Sequence, residues 1–171
     1  FDFEYADKFS KLYTELDQRF MLPNKKWLIM RVFGGVFLTN RFRNRGFADN
    51  FYSFGLSGTP DYLFDYTFVG RSDETGIWSQ QFFTTDGGFK SPTQVFADRW
   101  MTTANLSVPL YSVLGVFGDA GWADSRFYWD YGIRVALLTD FLEVYFPLQN
   151  QSRRFYQQEN YPENIRFVLD M

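Results

Sequence analysis

Val113-Leu114-Gly115-Val116-Phe117-Gly118-Asp119-Ala120-Gly121-Trp122 is the stretch whose reading decides the fold. Leu114, Val116, Ala120 and Trp122 fall on one row, Val113, Phe117 and Asp119 on the other, and glycines stand at 115, 118 and 121. Successive side chains of a strand point to opposite faces, so this pattern has the period of a strand. The following stretches repeat it. Trp129, Tyr131, Ile133, Val135 and Leu137 form an apolar row against Asp130, Gly132, Arg134 and Ala136. Leu142, Val144, Phe146 and Leu148 then alternate with Phe141, Glu143, Tyr145 and Pro147. Charge and glycine gather on one row and large apolar side chains on the other. The charged row is expected to face a wet interior and the apolar row to face lipid, as in an antiparallel transmembrane β-barrel.

Outward from this region the alternation continues. In 8–21, Leu12, Thr14, Leu16 and Phe20 oppose Lys11, Tyr13, Glu15, Asp17 and Arg19. In 26–39, Leu28, Met30, Val32, Val36 and Leu38 make the apolar row. In 98–110, Trp100, Thr102, Ala104, Leu106 and Val108 oppose Arg99, Thr103, Asn105 and Ser107. Strands are also expected over 62–69 and 77–84, and the chain closes with Ile165, Phe167, Leu169 and Met171 on one row. This makes an all-β chain of about nine strands. Joints near 22–25, 110–112 and 139–140 are short, while those at 40–50, 85–97 and 150–163 are long. Bacterial membrane barrels have short periplasmic turns and longer outer loops. With the C-terminus in the periplasm, nine strands place the N-terminus outside and leave strand 8–21 as an unpaired edge. The segment is therefore expected to be the C-terminal part of a larger barrel.

Composition narrows the chemistry. The chain has 171 residues, a formal net charge of −3, no cysteine and no histidine. One domain fits this length. Without cysteine there is no disulfide framework or thiolate chemistry, and without histidine the commonest metal ligand and general base is missing. Mixed charge of small net value argues against a nucleic-acid partner. Aromatic residues make up 22 % of the chain, as suits strands and membrane-interface girdles. The opening Phe1-Asp2-Phe3-Glu4 lacks a start methionine and a leader pattern, and reads as a mature or excised piece.

Several stretches resemble a known family. Ala104-Asn105-Leu106-Ser107-Val108-Pro109-Leu110, Gly115-Val116-Phe117-Gly118-Asp119-Ala120-Gly121, Tyr131-Gly132-Ile133-Arg134-Val135 and Phe141-Leu142-Glu143-Val144-Tyr145-Phe146-Pro147-Leu148 are similar, in order and spacing, to the last strands of BamA-like surface-antigen barrels. Asn164-Ile165-Arg166-Phe167 stands where the terminal strand belongs. The match is best over 98–171, within a single barrel segment over 1–171. Barrels of that family have sixteen strands, of which this chain would supply the last nine. A narrower resemblance runs through Asp61-Tyr62-Leu63-Phe64-Asp65-Tyr66, Gly70-Arg71-Ser72, Trp78-Ser79-Gln80-Gln81 and Gly87-Gly88-Phe89-Lys90. It is to the barrel region fused to gluzincin-type zinc aminopeptidases of Gram-negative bacteria. Their zinc motif needs histidine and cannot lie in this chain. Two features depart from the family. Arg45-Gly46-Phe47 spells its loop tip too early in the chain, with Gly87-Gly88-Phe89-Lys90 in the matching loop, and Met171 replaces the terminal phenylalanine.

The functional expectations follow. Lys90, Arg99, Asp119, Arg134 and Glu143 are expected to face the lumen. Leu114, Val116, Ile133, Val135, Val144 and Phe146 are expected to face lipid. Asp119 and Arg134 read as two solvated lumen charges, with a lumen ion pair that positions the folded-back loop as the alternative. Asp61, Asp65, Asp73 and Glu74 read as turn chemistry rather than a calcium loop. Glu143 with Asp140 reads as lumen or turn polarity rather than an acid–base pair. Trp27, Trp78, Trp100, Trp122 and Trp129 read as girdle residues. No catalytic, cofactor or metal site is expected in this chain. The expected role is an outer-membrane barrel segment that anchors or exports an upstream domain, which by the resemblance could be a metallopeptidase. Its expected partners are outer-membrane lipid and the remaining barrel strands or another subunit. The alternative is a small soluble or autonomous barrel that binds an apolar ligand, as lipocalins do, with apolar side chains inside.

Overall fold

The computed structural model describes residues 1–41, 52–57, 75–138 and 141–169. The expected strand 62–69, Arg45-Gly46-Phe47, Asp61, Asp65, Gly70-Arg71-Ser72, Asp73, Glu74, Asp140 and Met171 lie outside the described residues. The described strands are β1 (Asp2–Ala6), β2 (Phe9–Met21), β3 (Trp27–Asn40), β4 (Phe54–Gly55), β5 (Phe96–Ala97), β6 (Trp100–Tyr111), β7 (Leu114–Ala123), β8 (Arg126–Leu138), β9 (Leu142–Asn150) and β10 (Arg166–Leu169). Eight of them form one antiparallel sheet in the order β1-β2-β3-β6-β7-β8-β9-β10, and β4 pairs with β5 in a separate ladder. From β6 onward every strand pairs with its neighbour in sequence, as the alternation over 98–171 implies. The chain is all-β, and among the described residues its hydrogen-bonded order ends at β1 and β10 without closing.

Three expectations are corrected. Ile77–Thr84 is not a strand: Ile77–Gln80 is a single 3-10 turn entered from Gly76 at φ 86°. The Ser79 hydroxyl donates to the Gly76 carbonyl at 2.7 Å, holding that turn closed. Only Gln81 keeps an isolated bridge, parallel, to Phe167. Second, Asp2–Ala6 forms a hairpin with β2, in register from Asp2↔Tyr13 to Ala6↔Phe9. Strand 8–21 is therefore not the outermost strand, although no described strand follows on beyond Tyr13 to cover Thr14 to Gln18. Third, the added strand reverses the parity. The first and eighth strands of an antiparallel ladder run in opposite directions, so the start of β1 and the end of β10 lie at the same end of the sheet.

Connection length sorts the two ends. The joints β2–β3, β6–β7 and β8–β9 are short and share one end. The long connections β3–β6 and β9–β10 share the other, with two tight turns at β1–β2 and β7–β8. At the β7–β8 turn Asp124 takes φ 53°, a left-handed value that aspartate tolerates better than most residues. Its carboxylate accepts the backbone N–H groups of Arg99 at 3.0 Å and Trp100 at 3.2 Å, which fixes the entry into β6.

The sheet curls. Glu15, Asp17 and Arg19 of β2 and Val168 of β10 line the same cavity of about 280 Å³, together with Arg31, Asn105, Glu143 and Tyr145. These residues lie toward the short-turn end. Toward the long-connection end the concave face is filled instead. Phe54, Leu56, Phe89 and Ala97 from the β3–β6 connection pack against Phe33, Met101 and Ala123 of the sheet. The ring of Phe54 sits 5.5 Å from that of Phe33 and 4.8 Å from that of Phe37.

Two adjacent glycines test this packing. A Cβ at Gly35 would come within 2.6 Å of the Phe54 ring, whereas at Gly34 nothing lies within 4 Å. Gly35→Ala should destabilise the fold by about 1–3 kcal/mol through overpacking. Gly34→Ala should be neutral or stabilising by up to about 1 kcal/mol, since it only restricts the unfolded chain. Denaturant unfolding midpoints check this, and equal midpoints for the two variants would contradict the placement of Phe54.

Candidate functional site

The concave face carries charges in positions where water is scarce. Arg31, Asn105, Asp119, Asp130 and Arg134 are all buried, each on the inward row of its strand. A buried charge is costly unless it is paired and hydrogen-bonded. The segment Asp86–Ser91, folded over the sheet, supplies many of the partners.

Asp119 accepts three hydrogen bonds. It is 2 % exposed, and Oδ1 accepts Lys90 Nζ at 2.8 Å and Asn105 Nδ2 at 3.0 Å. Its Oδ2 accepts the Lys90 backbone N–H at 3.0 Å. One carboxylate thus holds both the main chain and the side chain of Lys90. Asn105 Nδ2 also donates to the Gly87 carbonyl at 3.1 Å. Arg31 Nη1 donates to the Asp86 carbonyl at 2.6 Å and to Asn105 Oδ1 at 3.2 Å. The other side of its fork engages Glu15 through Nε at 2.7 Å and Nη2 at 2.6 Å, a bidentate pair. Asp130 lies opposite Asp119 in register, and its Oδ2 accepts the Ser91 N–H at 2.8 Å. The Asp86 carboxylate accepts the Gly55 N–H at 3.0 Å, which ties the segment to β4.

Glycine is required at one point of this contact. Gly88 takes φ 65°, and a Cβ there would lie 2.7 Å from both Arg31 Nη1 and Asn105 Oδ1. The main chain can descend to the sheet only without that atom.

A second pair stands beside the first. Arg134 donates to Glu143 through Nε at 2.8 Å and again through Nη2, and the Tyr145 hydroxyl donates to Glu143 Oε2 at 2.6 Å. Lys90 Nζ lies 6.0 Å from the centre of the Tyr145 ring, so the two pairs are neighbours.

The site residues expected from sequence divide as follows. Lys90, Asp119, Arg134 and Glu143 come together on the concave face. Arg99 does not join them: it is exposed at the start of β6, and its backbone N–H goes to Asp124. Asp119 and Arg134 are not two solvated charges, because both are buried, and each is paired with another residue, Lys90 and Glu143 respectively. Leu114, Val116 and Ile133 are exposed on the convex face, and Val135, Val144 and Phe146 are half-buried on the same row. Trp27, Trp78, Trp100 and Trp122 are exposed and Trp129 is half-buried. Arg31, Glu15 and Asp86 escape a reading confined to 98–149. The signal for Arg31 is a single cation inside the apolar strand Trp27–Asn40, in register with Asp17 and diagonal to Glu15 on the inward row of β2. Among the described residues no cluster of acidic side chains has the arrangement of a metal site.

Comparison with protein-family models, with curated proteins and with solved structures finds no match.

The latch makes its own prediction. Gly88→Ala and Lys90→Met should both lift the segment Asp86–Ser91 from the sheet, and Asp119→Ala should cost about 3–5 kcal/mol by leaving Lys90 buried without its counter-charge. Limited proteolysis between Thr85 and Val95 reports the release. Cleavage should be faster in all three variants and unchanged in Arg99→Ala. Protection equal to that of the unsubstituted chain would contradict the latch.

Proposed function

We propose that this chain is a segment of an outer-membrane β-barrel of BamA-like type, lined on its inner side by the latched segment, that anchors or exports a domain elsewhere in its protein. The observation that carries the reading is the convex face. Leu12, Leu16, Val32, Val36, Leu106, Leu114, Val116 and Ile133 are exposed in consecutive strands of one sheet, with paired charges on the opposite face. A soluble sheet covers its apolar face and wets its polar one. The reverse order is what a lipid-facing barrel wall needs.

Strand length supports the same reading. β2, β3, β6, β7 and β8 have 13, 14, 12, 10 and 13 residues. Strands of soluble domains typically have about 5–6 residues, and a tilted strand needs about 9–11 to cross the hydrocarbon layer. Aromatic side chains at the strand ends add to it. Trp100, Trp122 and Phe127 are exposed toward the long-connection end, and Phe20, Trp27 and Tyr111 toward the short-turn end. Rings at two levels fit the two interfaces of a bilayer. The sequence resemblance to BamA-like barrels and to those fused with zinc aminopeptidases supplies the family and the upstream domain in this proposal.

A lipocalin-like barrel would hold an apolar ligand against apolar inner walls. Buried Arg31, Lys90, Asp119 and Arg134 on the concave face oppose that alternative.

Facing is tested with two adjacent residues at one depth. Val135→Arg on the convex row should reduce the stability of the full-length protein refolded in bilayers by about 2–4 kcal/mol, less if the site lies near an interface. Ala136→Arg, beside Glu143 on the concave row, should cost much less. Equal costs, or a protein that leaves the membrane fraction without detergent, would sink the proposal.

A further inference from the structure

Four cations on the concave side have carboxylate partners: Lys11 with Glu4 at 3.2 Å, Arg31 with Glu15 at 2.6 Å, Lys90 with Asp119 at 2.8 Å, and Arg134 with Glu143. Arg166 is different. It is the first residue of β10, pairs in register with the inward Tyr145, and is half-buried. Among the described residues no carboxylate reaches its guanidinium. It lines a pocket of about 550 Å³ with Ser57, Pro92, Thr93, Gln94 and Arg153. None of these lining residues is acidic.

A second polar group in the same pocket also lacks a partner. Thr93 Oγ1 is buried and makes no hydrogen bond. Arg153, from the β9–β10 connection, is held at the edge by two contacts. Its Nη2 donates to the Pro92 carbonyl at 3.2 Å, and its guanidinium lies 4.8 Å from the centre of the Phe155 ring. Neither contact neutralises its charge. Two arginines and a threonine with an orphaned hydroxyl thus line one pocket where the β3–β6 and β9–β10 connections meet.

We propose that this pocket is a binding site for a phosphate-bearing ligand, with the phosphate oxygens held by Arg166, Arg153 and the Thr93 hydroxyl. The planar guanidinium fork matches the oxygens of a phosphate, and two of them balance a dianion. A buried hydroxyl without a partner is satisfied by the same oxygens. The volume lies within the range of about 300–1,000 Å³ typical of small-molecule sites, larger than a bare phosphate needs. The ligand therefore carries a body beyond the anion, as a sugar phosphate or a phosphorylated lipid headgroup does. The pocket lies at the long-connection end, away from the cavity bounded by Glu15 and Glu143, where acidic side chains would repel an anion.

The test is calorimetric titration of the full-length protein in non-ionic detergent. The probes are inorganic phosphate, a hexose phosphate, and mixed micelles carrying phosphatidic acid, with diacylglycerol micelles as the uncharged control. Saturable one-to-one binding of at least one phosphate probe is expected. Preference for the hexose phosphate assigns a soluble ligand, and preference for phosphatidic acid micelles assigns a lipid headgroup. Arg166→Gln should weaken binding by about tenfold or more, as loss of a charge-assisted fork does. Thr93→Val and Arg153→Gln should each weaken it less, and Arg154→Gln, outside the pocket, should leave it unchanged. Should Arg166→Gln lose its native circular dichroism, the other two variants decide. Absence of saturable binding up to about 10 mM of every probe would overturn the proposal. So would unchanged affinity in Arg166→Gln, or in both Thr93→Val and Arg153→Gln.

Discussion

A strand gives alternate residues to opposite sides, so each long strand here must satisfy two media at once. On the concave side a cavity exposes Glu15, Asp17 and Arg19, whereas Arg31, Asp119 and Arg134 are buried and tolerable only in pairs. On the convex side, rows of leucine, isoleucine and valine stand exposed in strand after strand. The rest of the structure follows from this division. The latched segment exists because Asp119, Asn105 and Arg31 need donors and acceptors that the sheet alone does not provide. Lys90 answers Asp119 twice, through its side chain and its main chain. Gly88 is the residue that allows the approach.

The edges of the sheet extend the same reasoning. β1 is five residues long and covers β2 only as far as Tyr13, and β10 is four residues long. An edge in water can be hydrated or blunted, whereas in lipid each unsatisfied backbone group costs several kcal/mol. On the proposed reading, the backbone of β2 from Thr14 to Gln18 needs a further strand, from elsewhere in the same polypeptide or from another subunit. Both sheet edges border the cavity held between β2 and β10, so added strands would close the curl already present.

Much of the sheet is legible in the sequence because alternation is strong where strands are long. Over 98–149 the rows identify β6 to β9, their order and the facing of Asp119, Arg134 and Glu143. The hairpin strand Asp2–Ala6 is too short for its pattern to stand out, and that one strand changes the parity. Ile77–Thr84 has strand-like composition, but the left-handed Gly76 and the Ser79 hydroxyl bond favour a 3-10 turn instead. Pairing is the least legible layer. The rows place Asp119 and Arg134 on one face, but their actual partners are set by how far the β3–β6 connection descends. That depth depends on Gly88 against Arg31, a contact between residues 57 apart in sequence. No local pattern carries it. Arg99 shows the converse, since its position beside an inward row says nothing of a side chain at a strand's first turn.

The central claim is that the convex rows face lipid, and these 171 residues contain no cysteine of their own to compete with an introduced label. Single cysteines at Leu114, Ile133 and Val144, each carrying a spin label, report their surroundings in the full-length protein reconstituted into vesicles. Collision with dissolved oxygen should be frequent and collision with a water-soluble nickel complex rare at all three sites, with labels at Ser107 and Thr84 showing the opposite. Labels at Leu114, Ile133 and Val144 that meet the nickel complex as freely as those at Ser107 and Thr84 would contradict the account.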